Sequence, residues 1–191
     1  MHLSRTPSAL ALAALLSLSP AAALASPAST APPADFDTLV GLSAERLETA
    51  EAVAAAKWHT GSPVDDPARE EQVLEAAREQ AERSATDPEH AAAVVRDQIE
   101  AHKTVQHTLH ARWTVLPDRA PAEEPDLSEV RPELDRITSG LVRELAATER
   151  GRARADCPAR LALSADRDAR ERGSDAVHTA ALTRSLASVC V

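Results

Sequence analysis

Beyond Asp35 the apolar residues of this chain recur at the 3.6-residue spacing of a helix face, segment after segment, and nowhere alternate in the two-residue rhythm of a strand. Leu39, Leu42, Leu47, Ala50, Val53 and Ala54 form the first stripe, which runs to Trp58 and stops at Gly61-Ser62-Pro63. This spacing predicts one helix of roughly six turns. Asp66-Pro67 and Asp87-Pro88 each set a capping carboxylate before a proline at the first helical position, where the missing N–H is no loss. A charged helix over 69–84 follows the first pair. A third helix follows the second pair, through Ala91, Val94, Val95, Ile99, Val105 and Leu109 to Trp113. Pro117, Pro121 and Pro125 mark a linker, after which Leu134, Ile137, Leu141, Val142 and Leu145 lie on a helix starting near Asp126 or Ser128. Pro158 to Leu186 reads as one or two more. Aromatic residues make up only 2% and glycines number five, so the material for strands and tight barrel turns is missing. The fold class is all-α, a bundle of about five to six helices.

The first 25 residues follow a different logic. Arg5 precedes an apolar run from Ala9 to Leu18, Pro20 breaks it, and Ala23-Leu24-Ala25 has the small-x-small form of a cleavage site. The expected organisation is a cleavable signal peptide over 1–25, a flexible Ser/Pro/Ala/Thr leader over 26–34, and a single helical domain over 35–191. No cysteine follows the cleavage site to carry a lipid, and no later apolar run approaches the roughly 20 residues of a membrane span. The mature chain is therefore expected outside the cytoplasm, secreted or in the cell envelope, with no membrane contact of its own. In that oxidising setting the two cysteines, Cys157 and Cys190, pair most simply as one disulfide. Thirty acidic against 21 basic side chains leave a net charge of −9, which excludes a broad nucleic-acid footprint. Any anionic ligand must be held by a local cluster of cations.

Such a cluster is implied by polar groups that interrupt apolar stripes. Arg46 and Lys57 are eleven positions apart, which on a helix is three turns and roughly 20°, so both point along the stripe of Leu39, Leu42, Ala50 and Val53. On the third helix His102 and Gln106 fall on the stripe of Val95, Ile99, Leu109 and Trp113. Cations facing a core call for internal acids or for an anionic ligand that completes the site. The plainer account has Arg46 and Lys57 lying along the surface with solvated heads, His102 as a satisfied bundle histidine, Asp66 as a helix cap, and Arg69 and Glu70 as an ordinary charged first turn. A metal site on His102, His107 and His110 has poor geometry, because His102 lies well round the helix from His107.

Ala44-Glu45-Arg46-Leu47-Glu48, Ala54-Ala55-Ala56-Lys57-Trp58, Asp65-Asp66-Pro67-Ala68-Arg69, Asp97-Gln98-Ile99 with Gln106, and Asp126-Leu127-Ser128 leading to Arg131 stand in that order along the chain. Taken together this string resembles the secreted, gamma-type members of the all-helical chorismate mutase family, over essentially the whole span from Asp35 to Cys190. The resemblance implies an isomerase, a chorismate mutase, that converts chorismate to prephenate by an intramolecular Claisen rearrangement, with no covalent intermediate and no cofactor or metal. It implies a homodimer in which each pocket is built within one chain. The alternative is an exported helical binding protein that keeps the mutase fold without turnover.

Carried over residue by residue, the resemblance gives Arg46 and Arg131 as carboxylate-binding arginines and Lys57 as the lysine on the ether oxygen and a neighbouring carboxylate. Gln106 is the second donor to that oxygen, and Arg69 a further substrate-binding arginine. Asp66 and Glu70 lie near the ring hydroxyl, with Glu70 also placed to orient Lys57 or Arg46. Two positions depart from the family pattern. Gln106 replaces a glutamate found in some relatives and donates at any pH, so no low-pH requirement is expected from it. His102 stands where relatives carry a small hydroxyl residue that contacts the ring carboxylate; it can donate an N–H and, if protonated, would add a positive charge. Pro132 directly follows Arg131 and biases it away from helical geometry unless it lies in the first turn.

Overall fold

Four helices begin where an aspartate side chain accepts backbone N–H groups that have no partner within the helix. Asp66 takes that of Arg69 at 3.1 Å, Asp87 those of Glu89 and His90 at 2.9 and 3.2 Å, Asp126 that of Ser128 at 2.7 Å and Asp175 that of His178 at 2.8 Å. The computed structural model describes His2 and residues 36–191. Its helices are α1 (Asp37–Glu48), α2 (Ala50–Thr60), α3 (Pro67–Arg83), α4 (Pro88–Val115), α5 (Leu127–Ala147), the single turn α6 (Glu149–Arg152), α7 (Cys157–Arg172) and α8 (Ala176–Ser185), with a short 3-10 turn at Pro117–Arg119. There is no strand among the described residues. The signal peptide expected over 1–25, apart from His2, and the leader over 26–34 lie outside the described residues.

The first predicted helix is two. Thr49 separates α1 from α2 because its hydroxyl donates to the Arg46 carbonyl at 2.8 Å and its own N–H turns to the same oxygen at 3.3 Å, a tight i to i−3 closure. The helix resumes at once, Val53 N–H bonding the Thr49 carbonyl at 3.2 Å, so both halves still feed one wall. Gly61 ends α2 in the left-handed conformation, at φ 66°, where a side chain would be strained. The second correction concerns Arg131, which is helical although Pro132 follows it inside α5. Burial of Ile137, Leu141, Val142 and Leu145 along α5 outweighs the local bias against helix before proline.

The 28-residue α4 is the axis of the molecule: α2, α3 and α8 lie along it, while α1 packs on α5, α7 and α8. Leu39, Val40, Leu47, Val94, Val95, Val105, Ile137, Leu141 and Leu145 fill the core, and each fully buried aliphatic side chain contributes about 1.5–3 kcal/mol. Gly140 sets the distance between α1 and α5, since a Cβ there would meet the Leu42 methyls at 3.1 and 3.3 Å. That close approach brings Thr138 to Arg46.

Cys157, at the start of α7, is bonded to Cys190 beyond α8, with Cα atoms 5.9 Å apart across 33 residues of chain. Buried Arg152 ties the same end together, donating to the carbonyls of Leu145 and Val189 at 3.1 and 3.3 Å and to His90 Nε2 at 2.8 Å. Among the described residues no helix is long and apolar enough to cross a membrane.

Candidate active site

The arginine, lysine, histidine and glutamine that interrupt the apolar stripes converge on one cavity. It has a volume of about 150 Å³ and lies between α1, α2, α3, α4 and α5. Arg46, Lys57, Asp66, Arg69, Glu70, His102, Gln106 and Arg131 all line it. Its wall holds five cationic side chains, Arg46, Lys57, Arg69, Lys103 and Arg131, and three carboxylates, Asp66, Glu70 and Asp135, with Asp65 and Glu100 paired to Lys103 just outside it. In a chain of net charge −9 this is a local concentration of cations, of the kind an anionic ligand needs. A larger hollow between α7 and α8 is lined almost wholly by apolar and hydroxyl side chains and has no such charge.

Arg46 is the most buried of these cations, at 6% exposure. One nitrogen donates to Thr138 Oγ1 at 3.1 Å, Nε has no partner, and among the described residues no carboxylate lies within ion-pair distance. Burial lowers its pKa to about 10, Asp135 opposing the shift and Arg69 adding to it. Half-buried Lys57 spends one N–H on the Val64 carbonyl at 2.7 Å and keeps two. Burial lowers its pKa as well, against the attraction of Asp66, Glu70 and Asp65. Arg69 is more open and reaches Asp135 at 3.5 Å. Arg131 sits exposed at the rim.

Asp66 and Glu70 form a reciprocal cap at the start of α3: Asp66 accepts from Arg69 N–H, and Glu70 accepts from Asp66 N–H at 3.2 Å. Among the described residues Glu70 makes no ion pair with Lys57 or Arg46. Both its oxygens lie 3.2 Å from Lys103 Nζ, which also holds Asp65 at 3.1 Å and Glu100 at 2.8 Å. Burial works against the Lys103 charge, but the hydrogen bonds it donates to Glu100, Asp65 and Glu70 outweigh it and hold the ammonium well above the usual lysine range. Lys103 is the residue that sequence reasoning missed. The signal was present, because it falls four positions after Ile99 on the same stripe as His102 and Gln106. Its neighbour Glu100 makes it look like half of an ordinary surface pair. Thr49, Thr138 and Asp135 were also missed, and nothing local distinguishes them.

His102 and Gln106 are both buried, at 6% and 2% exposure. His102 Nε2 lies 3.1 Å from Thr49 Oγ1 and Nδ1 lies 2.8 Å from Gln106 Nε2, so both ring nitrogens are engaged by the protein. Burial, then Arg46 and Lys57, push the His102 pKa down from 6.5 to about 3. The positive charge considered for His102 is therefore not available at neutral pH. His107 pairs with Asp65 at 3.2 Å and His110 meets the Ala54 carbonyl at 2.8 Å. Among the described residues no group of three or more His, Cys, Asp or Glu is placed to hold a metal ion.

The His102 shift has a consequence for stability. Between pH 6.5 and about 3 the unfolded chain binds a proton that the folded protein refuses. Stability from this group is thus complete above pH 6.5 and is lost as pH falls, by about 3 kcal/mol at pH 4. Thermal melts from pH 7 to 4 should show a shallower decline for His102→Asn than for the natural protein. Parallel declines would mean that the imidazole is not held neutral.

A family model described as chorismate mutase type II matches residues 37–107. The secreted chorismate mutase of Mycolicibacterium smegmatis is 39% identical over 152 residues, covering 80% of this chain and 84% of that protein. The secreted chorismate mutase of Mycobacterium tuberculosis is 33% identical over 152 residues, covering 80% and 76%. Among solved structures, the chorismate mutase of Burkholderia phymatum superimposes with a TM-score of 0.77 at 37% identity, over 82% of this chain and 96% of that one. With an all-helical fold, a cationic cavity and relatives of this closeness, the chain belongs to the chorismate mutase type II family.

Proposed function

We propose that the cavity rearranges chorismate to prephenate, and that its eight predicted residues bind and activate that substrate. The observation that carries this reading is Arg46: a buried guanidinium with an unpartnered Nε and, among the described residues, no carboxylate within ion-pair distance, lining a cavity with Lys57, Arg69 and Arg131. Chorismate is a dianion. Its ether C–O bond breaks while a C–C bond forms within the same molecule, so atoms and electrons balance without a cofactor. The protein has to fold the enolpyruvyl arm over the ring and stabilise negative charge growing on the ether oxygen.

Arg46 and Arg131 take carboxylates, for which a planar fork fits better than an ammonium. Lys57 uses its two remaining N–H groups on the ether oxygen and a neighbouring carboxylate. Gln106 is the second donor to that oxygen, Arg69 adds charge at the open side, and Asp66 and Glu70 accept from the ring hydroxyl. His102 shapes the floor beside Gln106. The family resemblance extends the proposal to a homodimer whose pockets are each built within one subunit. Export through a signal peptide cleaved after Ala25, to the medium or the envelope, is supported by the relatives described as secreted and by the disulfide.

The test is to mix purified protein with chorismate and follow the loss of its ultraviolet absorbance. Turnover is expected across neutral pH without a rise below pH 5, because Gln106 needs no proton to donate. On the alkaline side activity should fall as pH rises through the Lys57 pKa, below the ordinary 10.5, since the deprotonated amine no longer offers a charge. Lys57→Ala should lower kcat/KM by roughly two to three orders of magnitude. Binding of chorismate without its consumption would make the protein a non-catalytic member instead.

A further inference from the structure

We infer that His102 is a positioning residue for the rearrangement: its Nδ1–H tautomer donates to Gln106 Oε1 and so turns Gln106 Nε2 toward the cavity. This rests on the reading of Gln106 as a donor to the ether oxygen. In the structure the amide stands the other way round. Nε2 is 2.8 Å from His102 Nδ1, and Oε1 is buried with no hydrogen-bond partner. In that arrangement Gln106 donates to Nδ1, Nε2–H of the ring donates to Thr49 Oγ1 at 3.1 Å, and the Thr49 hydroxyl donates to the Arg46 carbonyl at 2.8 Å. The network is consistent but leaves one buried acceptor unpaired. In it the amide N–H groups are turned into the protein, since Nε2 also lies 3.5 Å from the His102 carbonyl.

Half a turn about the last torsion of Gln106 exchanges oxygen and nitrogen with little change of shape, because that torsion is two-fold and broad. The imidazole then carries its proton on Nδ1 and donates to Oε1, the Thr49 hydroxyl donates to Nε2, and the amide N–H groups of Gln106 are free for a ligand. The Arg46 carbonyl keeps the Thr49 N–H at 3.3 Å. The buried Oε1 then has a donor, and apart from the exchanged bond to Nδ1 the amide Nε2 gives up only the long 3.5 Å contact to the His102 carbonyl.

Two measurements test it. Nitrogen-15 NMR of ring-labelled protein bound to a non-reactive bicyclic ether dicarboxylate should show the Nδ1–H tautomer for His102; the Nε2–H tautomer in that complex overturns the inference. In kinetics, His102→Leu should lower kcat about 30-fold with KM within about threefold, a part of the 100- to 1,000-fold that a lost donor costs. His102→Asn, whose carboxamide N–H lies near the place of Nδ1, should recover most of the loss. Added to Gln106→Leu, His102→Leu should cost no more than about twofold, because the group it orients is already gone. Full, additive losses in the double variant, or no recovery with a folded His102→Asn, overturn the positioning role. Natural protein that binds the ether dicarboxylate but does not consume chorismate defeats the proposed function alone, since the tautomer in that complex is still measured.

Discussion

Arg46→Ala should lower kcat/KM for chorismate by roughly a thousandfold or more and leave the protein folded and at least as heat-stable as before. The two halves of this expectation have one cause. Desolvation takes the Arg46 pKa well below the usual arginine range, to about 10, so holding the charge inside costs the protein about 3 kcal/mol relative to a solvated guanidinium. An alanine removes that cost along with a single hydrogen bond to Thr138. What it also removes is a preoriented fork that a substrate carboxylate would find already stripped of water. Arg46→Lys should restore the charge but only a fraction of the rate, because an ammonium cannot offer parallel N–H bonds to both carboxylate oxygens. Steady-state kinetics with a thermal melt of each variant checks both halves. Near-natural activity in Arg46→Ala would remove this residue from the site, and a large drop in melting temperature would mean that the guanidinium serves the fold.

Replacing both Cys157 and Cys190 by serine should have the opposite profile, a large loss of stability with kcat/KM at 25 °C within about twofold of the natural value. The bridge closes 33 residues, which by the loop-entropy relation is worth about 3–4 kcal/mol, or roughly 10 °C in melting temperature for a domain of this size. The segment it closes holds α7 and α8, and α8 has only ten residues, too short to be stable without support. Neither helix lines the cavity. In the folded state α8 is still held on α4 by Asp97, which accepts from Ser188 N–H at 2.9 Å and from Arg184 at 3.3 Å, and by Gln98, which donates to the Ser185 carbonyl at 3.0 Å. The bridge therefore acts mainly by limiting the unfolded chain. Loss of activity in step with loss of the bridge, at a temperature where the variant is folded, would show that α7 and α8 shape the cavity after all.

Much of the candidate site was legible because burial is written into periodicity. Arg46, His102 and Gln106 occupy positions that a helical wheel turns inward, and all three are buried. Lys57, on the same logic, is half-buried with its ammonium at the wall. Asp66 was legible as a cap before it was legible as anything else, and it is both a cap and a lining residue. Lys103 was hidden by Glu100, whose spacing offers a sufficient local partner, although its other partners Asp65 and Glu70 come from before and within α3. Thr138 reaches Arg46 across 92 positions of chain, a separation at which no local pattern operates.

The amino-acid order alone decided that the chain would be helical, where its helices start, and which side of each turns from water, because capping and amphipathic spacing act over one or two turns. It did not decide where the first helix breaks, since only the Thr49 hydroxyl, caught between the Arg46 carbonyl and His102, shows that closure. Nor did it decide which cations keep a carboxylate and which wait for one. That follows from the packing of α1 through α5, since desolvation and charge pairing are sums over neighbours that lie far apart in the chain and meet only in the folded molecule.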